Sequence, residues 1–222
     1  MAILTANGVA VAEGTLNVPR TGRPAALLSL ATALPPAEVG GAVTLRFETG
    51  QEFAMTCTRT GPEKGGQQVR VVGGRGKLET VLGPRFYQGI PAQLAILDIL
   101  NEAGETPGAV DAPELFTAYV RQAKPAWVEL HRALDLLPGR VWRVRPDGAV
   151  FVGRETDATH PETPEVWEAG FGLGRYILPL SPALRVGERL RARYLGQVRD
   201  LGRLERVIHR IGPRSQTEVL CV

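Results

Sequence analysis

Residues 126–153 read AWVELHRALDLLPGRVWRVRPDGAVFVG. Within them Trp127, Leu130, Leu134 and Leu137 recur at three- and four-residue steps, which places them on one face of a 3.6-residue period. Pro125 suits the first turn of such a helix, and Pro138-Gly139 ends it. Beyond that stop, residues 141–145 and 149–153 flank Pro146-Asp147-Gly148, where proline presets φ and glycine tolerates the positive φ that closes a turn. The stretch therefore predicts an amphipathic helix feeding a β-hairpin, with Trp142 buried against core anchors Trp127, Leu130 and Leu134.

Working outward, residues 1–88 alternate like strands. Residues 43–47 and 53–59 flank a Thr49-Gly50 turn, and residues 67–72 and 77–82 flank the cluster Gly73-Gly74-Arg75-Gly76, which reads as a hairpin turn. A second helix is expected over residues 91–103, with Ala92, Ile96, Ile99, Leu100 and Ala103 on one face and Gly104 at its C′ position. Residues 115–121 fit neither period cleanly and are read as a strand; residues 156–174, with Trp167 and Phe171 among Pro and Gly, form a long loop. Strand chemistry returns at residues 188–195, 203–211 and 216–222.

The expected fold class is mainly β with a few helices (α+β): two small antiparallel β-barrels around a helical middle. The boundaries fall at residues 1–88 for the first barrel, 89–139 for the helical connection and 140–222 for the second barrel. Two β-rich blocks around a helical middle also suggest a loose duplication.

Composition narrows the class. A chain of 222 residues with 44% hydrophobic content buries a real core, and 26 Gly with 17 Pro favour many short strands over a bundle. The net charge is +3, but 23 acidic residues are interspersed among 26 basic ones, which weakens the case for nucleic acid. Cys57 and Cys221 lie far apart in apolar alternating runs and read as small buried side chains. No run approaches the roughly 18 apolar residues that span a bilayer, and MAILTANGVAVAEG lacks the charge pattern of a signal peptide, so no membrane partner is expected.

Catalytic chemistry finds no foothold. His131, His160 and His209 are widely separated, with no HExxH, no CxxC and no GxSxG. No catalytic residue, cofactor or metal is assigned. The glycine cluster lacks the GxxxxGK[ST] spacing of a phosphate loop. The one charge concentration is the C-terminal arginine set, above all Arg189, Arg191 and Arg193, which alternate with Leu190, Ala192 and Tyr194 so that one strand face is basic and the other apolar. Such a face is either solvated and paired within the chain, or a subunit interface gripping acidic side chains of a neighbour.

Three segments in succession, FYQGIPAQLAILDILNEAG, PAWVELHRALDLLPGRVWRVRPDGAVFVG and RLERVIHRIGPRSQTEVLCV, resemble the hub proteins of phage tail baseplates, which also occur in prophages and contractile injection machines. The shared features are a helix ending in Ala-Gly, a second helix leading to an aromatic strand and a DG hairpin, and a closing V-x-x-V/I-x-H strand. They cover about the last 135 residues. The resemblance implies two tube-like barrels, assembly into a homotrimer with pseudo-sixfold symmetry, and contact with tail tube and central spike proteins. It also implies a place in the virion baseplate after synthesis in the host cytoplasm, with DNA only as content of the lumen. The chain is short for a hub. Two other readings stand beside it: an OB-like module binding oligosaccharide or nucleic acid through Trp142, Trp167 and Tyr194, and an enzyme in which His160 and nearby acids converge.

Overall fold

The computed structural model describes residues 2–32, 38–63 and 66–222. Its first barrel is built from β1 (Leu4–Ala6), β2 (Val9–Pro19), β3 (Ala25–Leu30), β4 (Ala42–Phe47), β5 (Glu52–Glu63) and β6 (Gly66–Gly73). The order β1-β4-β5-β6-β3-β2 returns to its start because β1 also pairs with β2, so the six strands close on themselves. Alternation explains the closure: Val43, Leu45 and Phe47 point inward from β4 while Ala42, Thr44 and Arg46 point outward.

The chain then leaves the barrel for an inserted lobe. It comprises β7 (Arg85–Pro91), α1 (Ala92–Ala103), β8 (Pro107–Val110), β9 (Leu115–Arg121), α2 (Ala126–Asp135), β10 (Arg140–Val144) and β11 (Val150–Arg154). The expected hairpin is present as β10–β11, with Trp142 opposite Val152, and β8 adds to it in parallel; β7 and β9 form a separate antiparallel ribbon. Gly104, at φ 84°, ends α1 in the left-handed region with its N–H on the carbonyls of Leu100 and Asn101.

The second barrel comes last, from β12 (Glu168–Gly170), β13 (Arg175–Pro179), β14 (Arg189–Tyr194), β15 (Gln197–Ile211) and β16 (Gln216–Cys221). Its strand order is β12-β13-β16-β15-β14. The run ahead of β12 completes the wall: Arg189 N–H donates to the Ala158 carbonyl at 2.8 Å, and Val166 N–H to the Arg193 carbonyl at 2.7 Å. The first barrel has the same order among its own strands, β2-β3-β6-β5-β4. The suspected duplication is thus visible in topology, though not in residues.

Two expectations change. Residues 77–82 form turns and a single bridge rather than a strand, so the glycine cluster closes no hairpin; it carries the chain out of β6 into the lobe. The boundaries at 88/89 and 139/140 both fall inside one continuous apolar cluster, which runs from Leu78 through α1 and α2 to Val152. The β10–β11 hairpin belongs to that cluster because its inward residues Trp142, Val144, Val150 and Val152 have the helices, and not the second barrel, to bury against.

Long β15 joins the two barrels. Along residues 197–203 it pairs with β14, and along residues 206–211 it pairs with β2 of the first barrel, Ile208 standing opposite Asn17. One hydrogen-bonded sheet therefore runs through both barrel walls.

Candidate assembly surfaces

The core anchors separate. Leu130 and Leu134 are buried, and Trp142 is 2% exposed, with its ring edge-to-face on His131 at 5.4 Å between centroids. Trp127 is 39% exposed and is not a core anchor. Position 127 lies in the first turn of α2, where the Trp127 N–H donates to the Leu78 carbonyl; its indole Nε1–H reaches outward to Glu79 Oε2 at 3.1 Å. The helix stripe is real, but its first member sits past the edge of what the hairpin covers.

On β14, Leu190 and Ala192 point into the second barrel while Arg191 and Arg193 point outward. Arg189 is tied within the chain to Asp200 at 2.7 Å; Arg191 and Arg193 form no ion pair among the described residues. Neither edge of β14 is bare, since β15 takes one and the run through Thr159 and Glu165 takes the other. The arginines therefore offer side chains to a partner, not a strand edge.

Groups that raised other chemistries are engaged internally. The backbone N–H groups of Arg75 and Lys77 donate to the Glu105 carboxylate at 3.0 and 2.6 Å, so the glycine loop is an anion nest already filled by a residue of this chain. His160 is buried with Nδ1 3.0 Å from Glu188, and neither residue lines the groove beside β5. His209, buried between β2 and β16, has Nδ1 3.0 Å from Thr217 Oγ1, and desolvation pushes its pKa down to about 4. Cys57 and Cys221 are buried free thiols whose pKa burial raises. Among the described residues no group of three or more His, Cys, Asp or Glu is placed to hold a metal. Trp142, Trp167 and Tyr194 share no groove, because the first is sealed in the lobe.

Two strand edges stand out instead. β5 pairs with β4 over residues 52–56, and Cys57 is bonded to Gly40 and Gly41; beyond it, Arg59 to Glu63 pair only with β6 among the described residues. A groove of about 730 Å³ opens there, lined by Arg59, Gly61, Glu63, Arg70, Asn17 and Leu27 among others. The second edge is β12, which pairs only with β13 among the described residues. Exposed Trp167, Phe171 and Leu173 flank it, and Phe171 packs edge-to-face on Tyr194 with the Arg199 guanidinium 5.4 Å from its ring. Nothing in the sequence pattern announced these edges, because an unpaired strand and a paired one alternate alike.

Solved structures share this two-barrel architecture and its inserted lobe. A 43 kDa tail protein of prophage MuSo2 from Shewanella oneidensis superposes with a TM-score of 0.74 at 10% identity, over 97% of this chain and 95% of that one. The fold is that of phage tail proteins. A component of the Escherichia coli type VI secretion system, described as structurally similar to bacteriophage T4 tail proteins, matches with a TM-score of 0.71 at 10% identity over 97% of this chain and 75% of that one. A tail protein of Neisseria meningitidis matches at 0.67 and 12% identity over 98% and 95%. No protein family and no curated protein sequence matches the chain.

Proposed function

We propose that this protein is a structural hub subunit of a tail baseplate or related injection machine, three copies of which form a ring joining a tail tube to a central spike. One observation carries the reading: a single chain holds two barrels of the same strand order, fused edge to edge through β2 and β15. Three such chains present six alike walls, the arrangement a sixfold tube can stack upon. The tail-protein fold of the neighbours supports the same role, and so does the internal engagement of the histidines and the glycine loop.

In this reading Arg191 and Arg193 are the polar part of the assembly surface: both point outward, and neither forms an ion pair among the described residues. Light scattering and negative-stain images of the purified chain, alone and co-expressed with the products of adjacent genes, test the proposal. The expected result is a particle of three times the chain mass with a central hole. Charge reversal at Arg191→Glu with Arg193→Glu should lower assembly while leaving the monomer's thermal midpoint nearly unchanged. A chain that stays monomeric in both settings sinks the hub reading.

A further inference from the structure

The two barrels correspond more closely than strand order alone requires. β5 and β15 each carry a bulge at the same step against the following strand, between Cys57 and Arg59 in one and between Leu204 and Arg206 in the other. Each is preceded by a tight hairpin, Thr49-Gly50-Gln51 and Leu195-Gly196-Gln197, with Gly50 and Gly196 at positive φ. Aligning the bulges places Arg59 on Arg206 and Gly61 on Ile208. At the other side, the last ladder pair before the turn is Asn17 with Ala25 in the first barrel and Gly170 with Arg175 in the second, which places Gly170 on Asn17.

Under this correspondence the joint inside the chain has a vacant counterpart. β15 is covered by β14 and then, past its bulge, by β2. β5 is covered by β4 and then, past its bulge, by no strand among the described residues. The strand equivalent to β2 is β12, whose outer edge is likewise taken by no strand among the described residues.

Resting on the hub reading above, we infer that β12 of one copy pairs antiparallel with β5 of the next, past Cys57, with Gly170 opposite Gly61, so that each seam between copies repeats the β2–β15 joint within a copy. Bare strand edges are ready templates for such addition, and a heterologous contact repeated around a ring leaves none of them open. Pro62 has no N–H to give, which keeps the ladder short, and β12 is only 3 residues long.

Charge and apolar surface fit the same partner. Arg59 and Arg70 stand side by side across β5 and β6 with no carboxylate partner among the described residues. Glu165 and Glu168, beside and within β12, form no ion pair among the described residues, although Arg193 is the bridge partner of Glu165 and the charge of Glu168 acts on Arg175. The like-charge pair this register creates, Glu63 with Glu168, falls at the outer end of the ladder, in the groove that also holds Arg59 and Arg70. Exposed Phe171 and Leu173 follow β12, and exposed Leu27 lies in the floor of the groove.

Cysteine cross-linking of the full chain tests the seam. A Cβ at Gly61 meets nothing within 4 Å and one at Gly170 meets only Arg175, no nearer than 3.4 Å, so both sites accept Gly61→Cys and Gly170→Cys without disturbing the fold. Directly opposed strand residues lie within disulfide range. Under mild oxidation the double variant should run as a covalent trimer on a denaturing gel. A mixture of the two single variants should give covalent dimers and no trimer, because each copy then links to one neighbour only. A particle of trimer mass in which the double variant does not cross-link overturns this seam and leaves the ring reading standing; a wild type that never assembles overturns both.

Discussion

Glu155 accepts the Arg20 Nε–H at 2.5 Å, and the same carboxylate bonds Arg143 and lies 3.7 Å from Arg203. Arg20 follows β2 of the first barrel, Arg143 sits in the hairpin of the lobe, and Arg203 lies on β15 of the second barrel. One buried acid thus gathers guanidinium groups from all three parts, and Gly187 leaves it room, since a Cβ there would stand 2.2 Å from Glu155 Oε1.

Removing that acid should loosen the junction without emptying any core. Glu155→Gln is expected to cost about 1–3 kcal/mol, because it leaves partly buried cations underpaired. Urea unfolding followed by tryptophan fluorescence checks this. A midpoint equal to wild type would mean that the apolar contacts alone hold the three parts in register.

The two tryptophans of the lobe should behave oppositely. Trp142→Ala should cost about 3–5 kcal/mol, since it empties the centre of the lobe cluster. Trp127→Ala should cost clearly less, about 1 kcal/mol, because its indole lies at the surface, 39% exposed against 2% for Trp142, and its partner Glu79 is exposed. Comparable losses at both sites would contradict the placement of Trp127.

Acid should act through His209 before it acts on the carboxylates. Burial holds its folded pKa at about 4 against an ordinary 6.5, so protons bind the unfolded chain preferentially between those values. The stability it contributes is present above pH 6.5 and is lost as the pH falls towards 4, by up to about 3 kcal/mol. Glu218, whose pKa hydrogen bonding to Arg175 lowers from 4.5, loses its own contribution only below that value. Unfolding free energy measured from pH 7 to 5 should therefore decline in the wild type and stay flatter in His209→Gln.

Leu195 offers a substitution that should stabilise. It holds φ 50° at the β14–β15 turn with 80% of its surface exposed, whereas the matching position of the β1–β2 turn, φ 47°, is filled by Asn7. Asparagine adopts this region at lower cost than leucine, so Leu195→Asn should raise stability by about 1 kcal/mol in the isolated chain. A lower thermal midpoint would show that the exposed leucine supports the fold locally.

Sequence by itself determined the local pieces of this protein. The helix at Ala126–Asp135, its exit through Pro138-Gly139 and the hairpin around Pro146-Asp147-Gly148 follow from period, proline and glycine within a few residues of one another, and each is where the pattern put it. The same holds for the apolar face of β14 and the left-handed stop at Gly104. What only the tertiary structure decided depends on residues far apart in the chain. Trp127 left the core because the hairpin ends short of it, Glu105 filled the glycine nest from 28 to 30 residues away, and Glu155 drew its cations from all three parts. The edges of β5 and β12 that no strand among the described residues takes belong to this second class, since whether a strand has a neighbour depends on the closure of the sheet and not on the strand's own alternation.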